Sequence, residues 1–256
     1  MTPIESLQIN GYCKLWNVYS KDEVAKTLEM IKSLDPGLPS PDDLTIPRLN
    51  RIARNIYNLE SKDRWFTQML FKSQAIEEIL KYFLNDKYYA AIPDYLPNYI
   101  LRSYSARSTG PTALPNHIDS FVPYPSDKEF LTMQVAIFLE DSTLDNGCTV
   151  VSPGSHLKGK YADGSEPLVA VEANAGDVIM WTGSLIHGTL ANKTEKSRWS
   201  IIATFCRWWI KQAFQITEAL PKEIYNNLSA KERAILGYSS VPALNERLYI
   251  DMKRGY

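Results

Sequence analysis

Between about residue 98 and residue 210 the sequence alternates short apolar runs with turn-forming residues, and this pattern constrains the fold more than any other feature. Segments such as Asp145-Asn146-Gly147 and Ala175-Gly176-Asp177 separate the runs, and turns favour these residue types. The runs predict strands at Tyr99–Tyr104, Leu131–Leu139, Thr149–Ser152, Leu168–Val171, Val178–Trp181 and Ser200–Arg207. Short strands at this density are typical of a sandwich, a jelly roll or a barrel.

Helical patterns flank this β-rich stretch on both sides. Ser20, with Glu23 three residues later, forms a capping-box pattern that predicts a helix, and Asp35-Pro36-Gly37 ends it. An apolar stripe predicts one or two more helices between Ser61 and Leu84, and similar signals predict short helices in the tail. The fold class expected is therefore α+β with a mainly β core. We expect one domain over residues 1–256, with a helical part at 1–97, a β core at about 98–210 and a helical tail at 211–256.

The charge balance excludes some classes of partner. Lys and Arg number 28 and Asp and Glu number 29, which gives a net charge of −1. A chain this close to neutral lacks the positive potential of a general nucleic-acid binder. No apolar run reaches the roughly 18 residues of a membrane span, and the N-terminus lacks the pattern of a secretion signal. We expect a cytoplasmic protein with no nucleic-acid or membrane partner, and the sequence leaves the oligomeric state open.

The three histidines, His117, His156 and His187, all lie in the β-rich stretch. His117 and Asp119 form a His-x-Asp pair, and residues two apart on an extended segment point to the same face. His187 lies on the second of two strands predicted after the turn at Gly176. Two histidines and one carboxylate form the facial triad of non-haem Fe(II) oxygenases, which leaves metal positions open. His156 follows a Pro-Gly turn, and we expect it to be a structural hydrogen-bonding residue.

Arg198 and Ser200 lie on the strand predicted next. The planar guanidinium suits a carboxylate, and a hydroxyl two residues later points to the same side of a strand. A buried arginine needs an anionic partner because desolvation of its charge is costly. A dicarboxylate cosubstrate would meet that need. The alternative is an ordinary surface ion pair of Arg198 with Asp177 or Glu195, which would contribute little stability.

A longer motif carries a family resemblance. The segment from Asn146 to His156, Asn-Gly-Cys-Thr-Val-Val-Ser-Pro-Gly-Ser-His, resembles the Asn-Gly…Pro-Gly-Ser-His signature of the phytanoyl-CoA dioxygenase family. The His-x-Asp pair precedes it, and His187 and Arg198 follow it in the family's order, so the resemblance covers about residues 98 to 210. It implies a double-stranded β-helix, which is a cupin-like jelly roll, with helices packed outside. It also implies Fe(II), 2-oxoglutarate and O₂ as cofactor and cosubstrates.

The same resemblance implies roles for individual residues. The iron ligands and catalytic centre would be His117, Asp119 and His187. The residues implied for binding 2-oxoglutarate are Arg198, Thr189, Ser200 and Gln134. Halogenating relatives carry a small residue in place of the carboxylate, so the presence of Asp119 favours hydroxylation or another oxidation.

The substrate contacts are predicted from position. Phe121 and Tyr124 belong to the loop directly after Asp119, and Trp181 lies near the strand that leads to His187. The proline-rich loop at 35–47 could be a lid or only a connector.

The function expected is an Fe(II)/2-oxoglutarate dioxygenase that oxidises a small molecule in secondary-metabolite or amino-acid-derivative metabolism, with release of succinate and CO₂. Three alternatives stay open. One is a fatty acyl-CoA or lipid hydroxylase of the same family, the second is a jelly-roll metalloenzyme that does not use 2-oxoglutarate, and the third is a catalytically silent protein that keeps the fold.

Overall fold

The computed structural model of the chain describes residues 1–37, 53–89, 92–119, 129–243 and 245. Two compact units are interleaved along the sequence, the first comprising Met1–Tyr57 and Ser105–Ala203, and the second Asn58–Tyr104 and Thr204–Tyr256. The single domain expected over residues 1–256 stays a prediction.

Ten strands form two sheets. The strands are β1 (Tyr12–Leu15), β2 (Asn55–Tyr57), β3 (Ile100–Ser108), β4 (Leu114–His117), β5 (Thr132–Phe138), β6 (Thr149–Val151), β7 (Val169–Val171), β8 (Val178–Thr182), β9 (His187–Thr189) and β10 (Trp199–Cys206). The larger sheet has the order β1-β8-β5-β10-β3-β2 and the smaller one β4-β9-β6-β7.

The core of the first unit lies between these sheets. Ala136, Phe138 and Ile179 of the larger sheet form one buried cluster with Val151 and Val171 of the smaller sheet. Every residue of β5 and β8 is buried, as expected for strands in the middle of a sheet that is covered on both faces. Two sheets packed through one core form the double-stranded β-helix that the resemblance implies, so the predicted fold class is confirmed.

Each strand predicted from the apolar runs is present, within a few residues of the expected bounds. The largest difference is at β3, which continues to Ser108 although the pattern predicts its end at Tyr104.

The part at 1–97 that is expected to be mostly helical also contains two short strands that the sequence does not predict. Strands β1 and β2 lie in this part and form the two edges of the larger sheet. Strand β1 pairs antiparallel with β8, and β2 pairs antiparallel with β3. They have four and three residues, too few to develop the alternation by which a strand is recognised from sequence. Their conformation is fixed by the neighbouring strands.

The helices are α1 (Pro3–Asn10), α2 (Lys21–Leu34), α3 (Arg64–Phe71), α4 (Gln74–Leu84), α5 (Ile216–Ala219), α6 (Lys222–Asn226) and α7 (Ala230–Ile235). Helix α2 begins with the predicted capping box, since the Ser20 hydroxyl accepts from the Glu23 amide and the Glu23 carboxylate accepts from the Ser20 amide. It ends at Leu34, directly before the predicted stop. No helix among the described residues has the length and apolar character needed to cross a bilayer.

The second unit contains α3 to α7, of which α5 to α7 lie in the part of the chain expected to be a helical tail. Its packing includes Trp208, whose ring stacks on Tyr89 at a centroid distance of 4.2 Å and an interplanar angle of 10°. The indole Nε1 of Trp208 donates to the Asp86 carboxylate at 3.0 Å.

Candidate metal centre

Three side chains of the first unit converge on one point. His117 ends β4, Asp119 follows two residues later, and His187 begins β9. Nε2 of His117 lies 3.3 Å from Oδ1 of Asp119, and Nε2 of His187 lies 3.2 Å from Oδ2. One potential ligand atom from each residue lies within 4.8 Å of those of the other two. The structure therefore brings together the three residues that the sequence predicts as a metal site.

The hydrogen bonds of the two imidazoles determine which nitrogen faces the carboxylate. Nδ1 of His117 lies 2.8 Å from the carbonyl oxygen of Pro115, and Nδ1 of His187 lies 3.0 Å from that of Leu185. A carbonyl can only accept, so each Nδ1 carries the proton and each neutral ring presents the lone pair of Nε2. Two lone pairs that face a carboxylate repel it unless a cation lies between them.

This arrangement fits a metal ion. Backbone carbonyls that hold Nδ1 are the usual partners of metal-binding histidines, because they fix the tautomer and the orientation of the ring. Two imidazole nitrogens and one carboxylate are the donor set of the Fe(II) facial triad. His117, Asp119 and His187 could hold such an ion.

The electrostatics favour the ionised carboxylate. Without a metal ion, a proton on Nε2 of the imidazoles takes the place of the cation. Burial then opposes the charge of Asp119, but the positive charge at His187 and the hydrogen bonds that both protonated imidazoles donate outweigh it, so the pKa of Asp119 lies well below its ordinary value. Burial also opposes protonation of His117, but its hydrogen bond to Asp119 and the negative charge there raise the pKa of His117. The Asp119 carboxylate thus attracts positive charge to this point.

A cavity of about 120 Å³ adjoins the three residues. Its lining includes the predicted residues Arg198, Thr189, Ser200 and Trp181. Gln134 is 1% exposed and lies on the same face of β5 as the lining residues Ala136 and Phe138, but it does not itself line the cavity. The role predicted for Gln134 stays a prediction. Phe121 and Tyr124 lie outside the described residues, as does most of the proline-rich loop at 35–47.

Arg198 is buried in the cavity wall, at 3% exposure. One Nη donates to the Ser200 hydroxyl at 3.1 Å, the other donates to the Gly147 carbonyl, and the guanidinium lies over the Phe138 ring. Nε is buried and has no hydrogen-bond partner among the described residues. Burial lowers the pKa of Arg198 to about 10. A buried cation with a donor left over fits an anionic ligand, and the alternative of a surface pair with Asp177 or Glu195 is wrong.

Arg107 also lines the cavity, and sequence reasoning missed it. It lies on the part of β3 beyond the predicted end of that strand, and Thr109, two residues later, lines the same cavity. Burial lowers the pKa of Arg107, and the charge of Asp119 partly offsets this effect. No motif in the sequence marks Arg107, because the apolar pattern that predicts β3 stops at Tyr104.

His156 is separate from the metal cluster, as predicted. It is 4% exposed, and its Nε2 lies 3.2 Å from the carbonyl oxygen of Gln8. The ring joins α1 to the short 3₁₀-helix Ser155–Lys158.

Comparison with known proteins gives one family. The family model described as phytanoyl-CoA dioxygenase matches residues 7–200. The dioxygenase andF of Emericella variicolor is 30% identical over 121 residues, which are 46% of this chain and 41% of that protein. The dioxygenase af480 of Aspergillus fumigatus is 24% identical over 246 residues, which are 92% of this chain and 76% of that protein. This chain thus spans less than half the length of the first relative.

A solved structure has the same fold. The epimerase SnoN, crystallised with Fe³⁺, alpha ketoglutarate and nogalamycin RO, has a TM-score of 0.64 and 18% identity, and the match covers 86% of this chain and 89% of SnoN. At this identity the likeness shows the fold alone.

Proposed function

The chain belongs to the phytanoyl-CoA dioxygenase family of Fe(II)/2-oxoglutarate-dependent oxygenases, and from this membership we propose that it hydroxylates a small organic molecule. In the proposed reaction the substrate C–H bond becomes C–OH, while 2-oxoglutarate and O₂ become succinate and CO₂ with the second oxygen atom in the new succinate carboxylate. Fe(II), when bound, would supply the oxygen chemistry of this reaction.

The observation that carries the proposal is the pairing of two features in one cavity wall. Two imidazole lone pairs and one carboxylate face each other, and a buried guanidinium with an unused donor lies in the lining of the same cavity. The first feature suits a divalent cation, and the second suits a carboxylate. A metal-chelating dicarboxylate such as 2-oxoglutarate would meet both.

In this proposal the residues of the chain bind the metal ion, bind the cosubstrate and exclude water. His117, Asp119 and His187 would hold the ion, with the carbonyls of Pro115 and Leu185 keeping each imidazole in its ligating tautomer. Arg198 would bind the carboxylate of the cosubstrate remote from the metal, and the hydroxyls of Ser200 and Thr189 would contribute polar contacts. The apolar part of the lining, which includes Ala136, Phe138 and Ile202, would exclude bulk water from the reaction.

Several finer points remain part of the proposal. SnoN is an epimerase, and the same first half-reaction can end in outcomes other than hydroxylation. The presence of Asp119 favours hydroxylation or another oxidation over halogenation. A fatty acyl-CoA or lipid substrate is the alternative to a small metabolite. The cytoplasmic location stays a prediction of the sequence, and so do the roles of Gln134, Phe121 and Tyr124.

The test is an anaerobic ultraviolet–visible titration with Fe(II) and then 2-oxoglutarate. We expect a weak visible charge-transfer band that is absent without 2-oxoglutarate and strongly reduced in Arg198→Met at the same ligand concentration. Small metabolites and acyl-CoA esters would then be screened for stimulation of succinate release. A protein that binds Fe(II) but gives no band at saturating 2-oxoglutarate would be a metalloenzyme of another kind, and one that binds neither would be a silent member of the fold.

A further inference from the structure

Trp181 contacts two of the three residues of the candidate metal centre. Its indole Nε1 donates to Oδ2 of Asp119 at 3.3 Å. Its ring lies 5.0 Å from the His187 ring, centroid to centroid, at an interplanar angle of 52°. The sequence predicts Trp181 only as a wall of the substrate pocket, and neither contact follows from the motifs.

The two partners of this hydrogen bond differ in how firmly the backbone holds them. Trp181 is the next-to-last residue of β8, paired with Tyr12 of β1 on one side and Gln134 of β5 on the other, and it is 4% exposed. Asp119 lies two residues beyond the last residue of β4, outside any strand. No strand of the smaller sheet holds the Asp119 carboxylate. The hydrogen bond from Trp181 connects this carboxylate to a central strand of the larger sheet instead.

The chemistry of the contacts distinguishes Trp181 from the histidines. Nε2 of His117 and Nε2 of His187 face the carboxylate with atoms that can bind a metal. The indole N–H can only donate a hydrogen bond. Trp181 is therefore a donor that would still hold the Asp119 carboxylate when both imidazoles bind an ion.

We propose that Trp181 is a positioning residue for the metal centre, whose indole N–H fixes the orientation of the Asp119 carboxylate towards the two imidazoles. The inference rests on the metal site of the proposed function, but it does not depend on 2-oxoglutarate or on the substrate. Hydrogen-bond partners of metal ligands commonly contribute about 10- to 100-fold to metal affinity. The same range is expected here.

The experiment compares two tryptophan-to-phenylalanine variants. Trp181→Phe removes the donor and keeps an aromatic ring, and Trp208→Phe removes the matching indole-to-carboxylate bond to Asp86 in the second unit. Mn(II) would be titrated into metal-free protein, and the free ion would be followed by electron paramagnetic resonance. We expect the dissociation constant to rise about 10- to 100-fold in Trp181→Phe and less than twofold in Trp208→Phe. Denaturant unfolding of the metal-free proteins would confirm that both variants fold.

Unchanged Mn(II) affinity in folded Trp181→Phe would overturn the inference and leave the proposed function standing. Absence of Mn(II) binding by the wild-type protein would overturn both. Should Trp181→Phe fail to fold, indole ¹⁵N spectra of the wild-type protein with and without Zn(II) would decide. A slowly exchanging Trp181 N–H that shifts on metal binding, beside an unmoved Trp208 signal, would support the role, and a rapidly exchanging N–H that does not respond would refute it.

Discussion

His117 and His187 are direct cross-strand partners in the antiparallel pairing of β4 with β9. Their ring centroids lie 4.4 Å apart at an interplanar angle of 47°. Opposed residues in such a ladder have Cβ atoms about 4.5–5.5 Å apart, so the register of two strands fixes the spacing of the two imidazoles. The candidate site is therefore built into the smaller sheet, and only its carboxylate comes from beyond a strand end.

Replacement of a cluster residue should abolish metal binding without unfolding the protein. In Asp119→Ala the negative charge that attracts the ion is lost, and in His187→Ala a donor nitrogen is lost. We expect metal affinity to fall at least about 100-fold, a loss of some 2.7 kcal/mol of binding free energy, and 2-oxoglutarate-dependent succinate formation to become undetectable. Metal titration and succinate assays would measure these effects.

The matched control for this prediction is His156→Gln. His156 is buried but lies outside the cluster, and it has a hydrogen bond to the Gln8 carbonyl. This variant should lose stability to denaturant and keep its metal affinity, the reverse of what is expected for the cluster variants. Full activity in either Asp119→Ala or His187→Ala would contradict the assignment of these residues as metal ligands.

Arg198→Lys should weaken the binding of 2-oxoglutarate. Lysine keeps the positive charge but loses the planar fork that can engage a carboxylate with two parallel hydrogen bonds. We expect the dissociation constant for 2-oxoglutarate to rise at least about tenfold, or about 1.4 kcal/mol, while metal affinity stays within about twofold. Arg233→Lys is the control, because Arg233 also lies over an aromatic ring, that of Tyr225, and donates to a backbone carbonyl. An unchanged response in Arg198→Lys would contradict the proposed cosubstrate contact.

Local chemistry explains which parts of the fold could be predicted. The start of α2 follows from Ser20 and Glu23, since a capping box is formed by residues three apart in the chain. The cluster could be predicted because His117 and Asp119 form a local His-x-Asp pair and because His187 follows in the order of the family that the sequence resembles. In contrast, β1 has only Cys13 buried and is held in place by β8, which lies more than 160 residues away in the sequence. No local pattern in Tyr12–Leu15 records that pairing.

The residues that line the cavity also include some that the sequence could predict and some that it could not. Arg198 and Ser200 could be predicted because they lie two residues apart where β10 begins, downstream of the family motif. Arg107 was missed because the apolar pattern stops at Tyr104, while the strand continues to Ser108 through alternately buried positions. The hydrogen bond from Trp181 to Asp119 joins residues 62 positions apart, one on the larger sheet and the other beyond the end of a strand of the smaller sheet. Contacts of this kind depend on how the two sheets pack, which a single sequence does not encode locally.

Gly183→Ala should destabilise the protein through one identifiable contact. A Cβ atom on Gly183 would lie 1.9 Å from Oγ1 of Thr132 and 3.3 Å from Cβ of the same residue. Thr132 is 3% exposed, so its side chain has little room to yield. Overpacking of this kind costs about 1–3 kcal/mol. We expect a fall of this size in the free energy of unfolding from denaturant titration.

Thr132→Ala should suppress this effect. It removes Oγ1 and leaves the new methyl group 3.3 Å from Cβ of residue 132, which a small shift can accommodate. In a double-mutant cycle the cost of Gly183→Ala should therefore fall by about 1 kcal/mol or more in the Thr132→Ala background. Strictly additive costs would show that the strain at Gly183 comes from elsewhere, the nearest candidate being the backbone oxygen of Asp119 at 3.5 Å.

Glu60, in the second unit, should make stability fall as the pH rises. It is 2% exposed, and burial raises its pKa from 4.5 to about 7. Its Oε2 has no hydrogen-bond partner among the described residues. Between pH 4.5 and 7 the folded protein holds a proton that the unfolded chain releases, so stability is lost through this window and the loss is complete above it. At about 1.4 kcal/mol per pH unit, the full effect is of the order of 3 kcal/mol.

The contribution of Glu60 can be isolated with Glu60→Gln, which cannot titrate. The amide carries its own desolvation cost, but that cost does not change with pH, so the readout is a difference between two pH values. The free energy of unfolding of the wild-type protein minus that of Glu60→Gln should fall by about 2 to 3 kcal/mol between pH 5 and pH 8. Other titrating groups are common to both proteins and cancel in this difference. A difference that stays constant across the range would mean that the folded protein holds Glu60 ionised, which would require a partner for the carboxylate that burial alone does not supply.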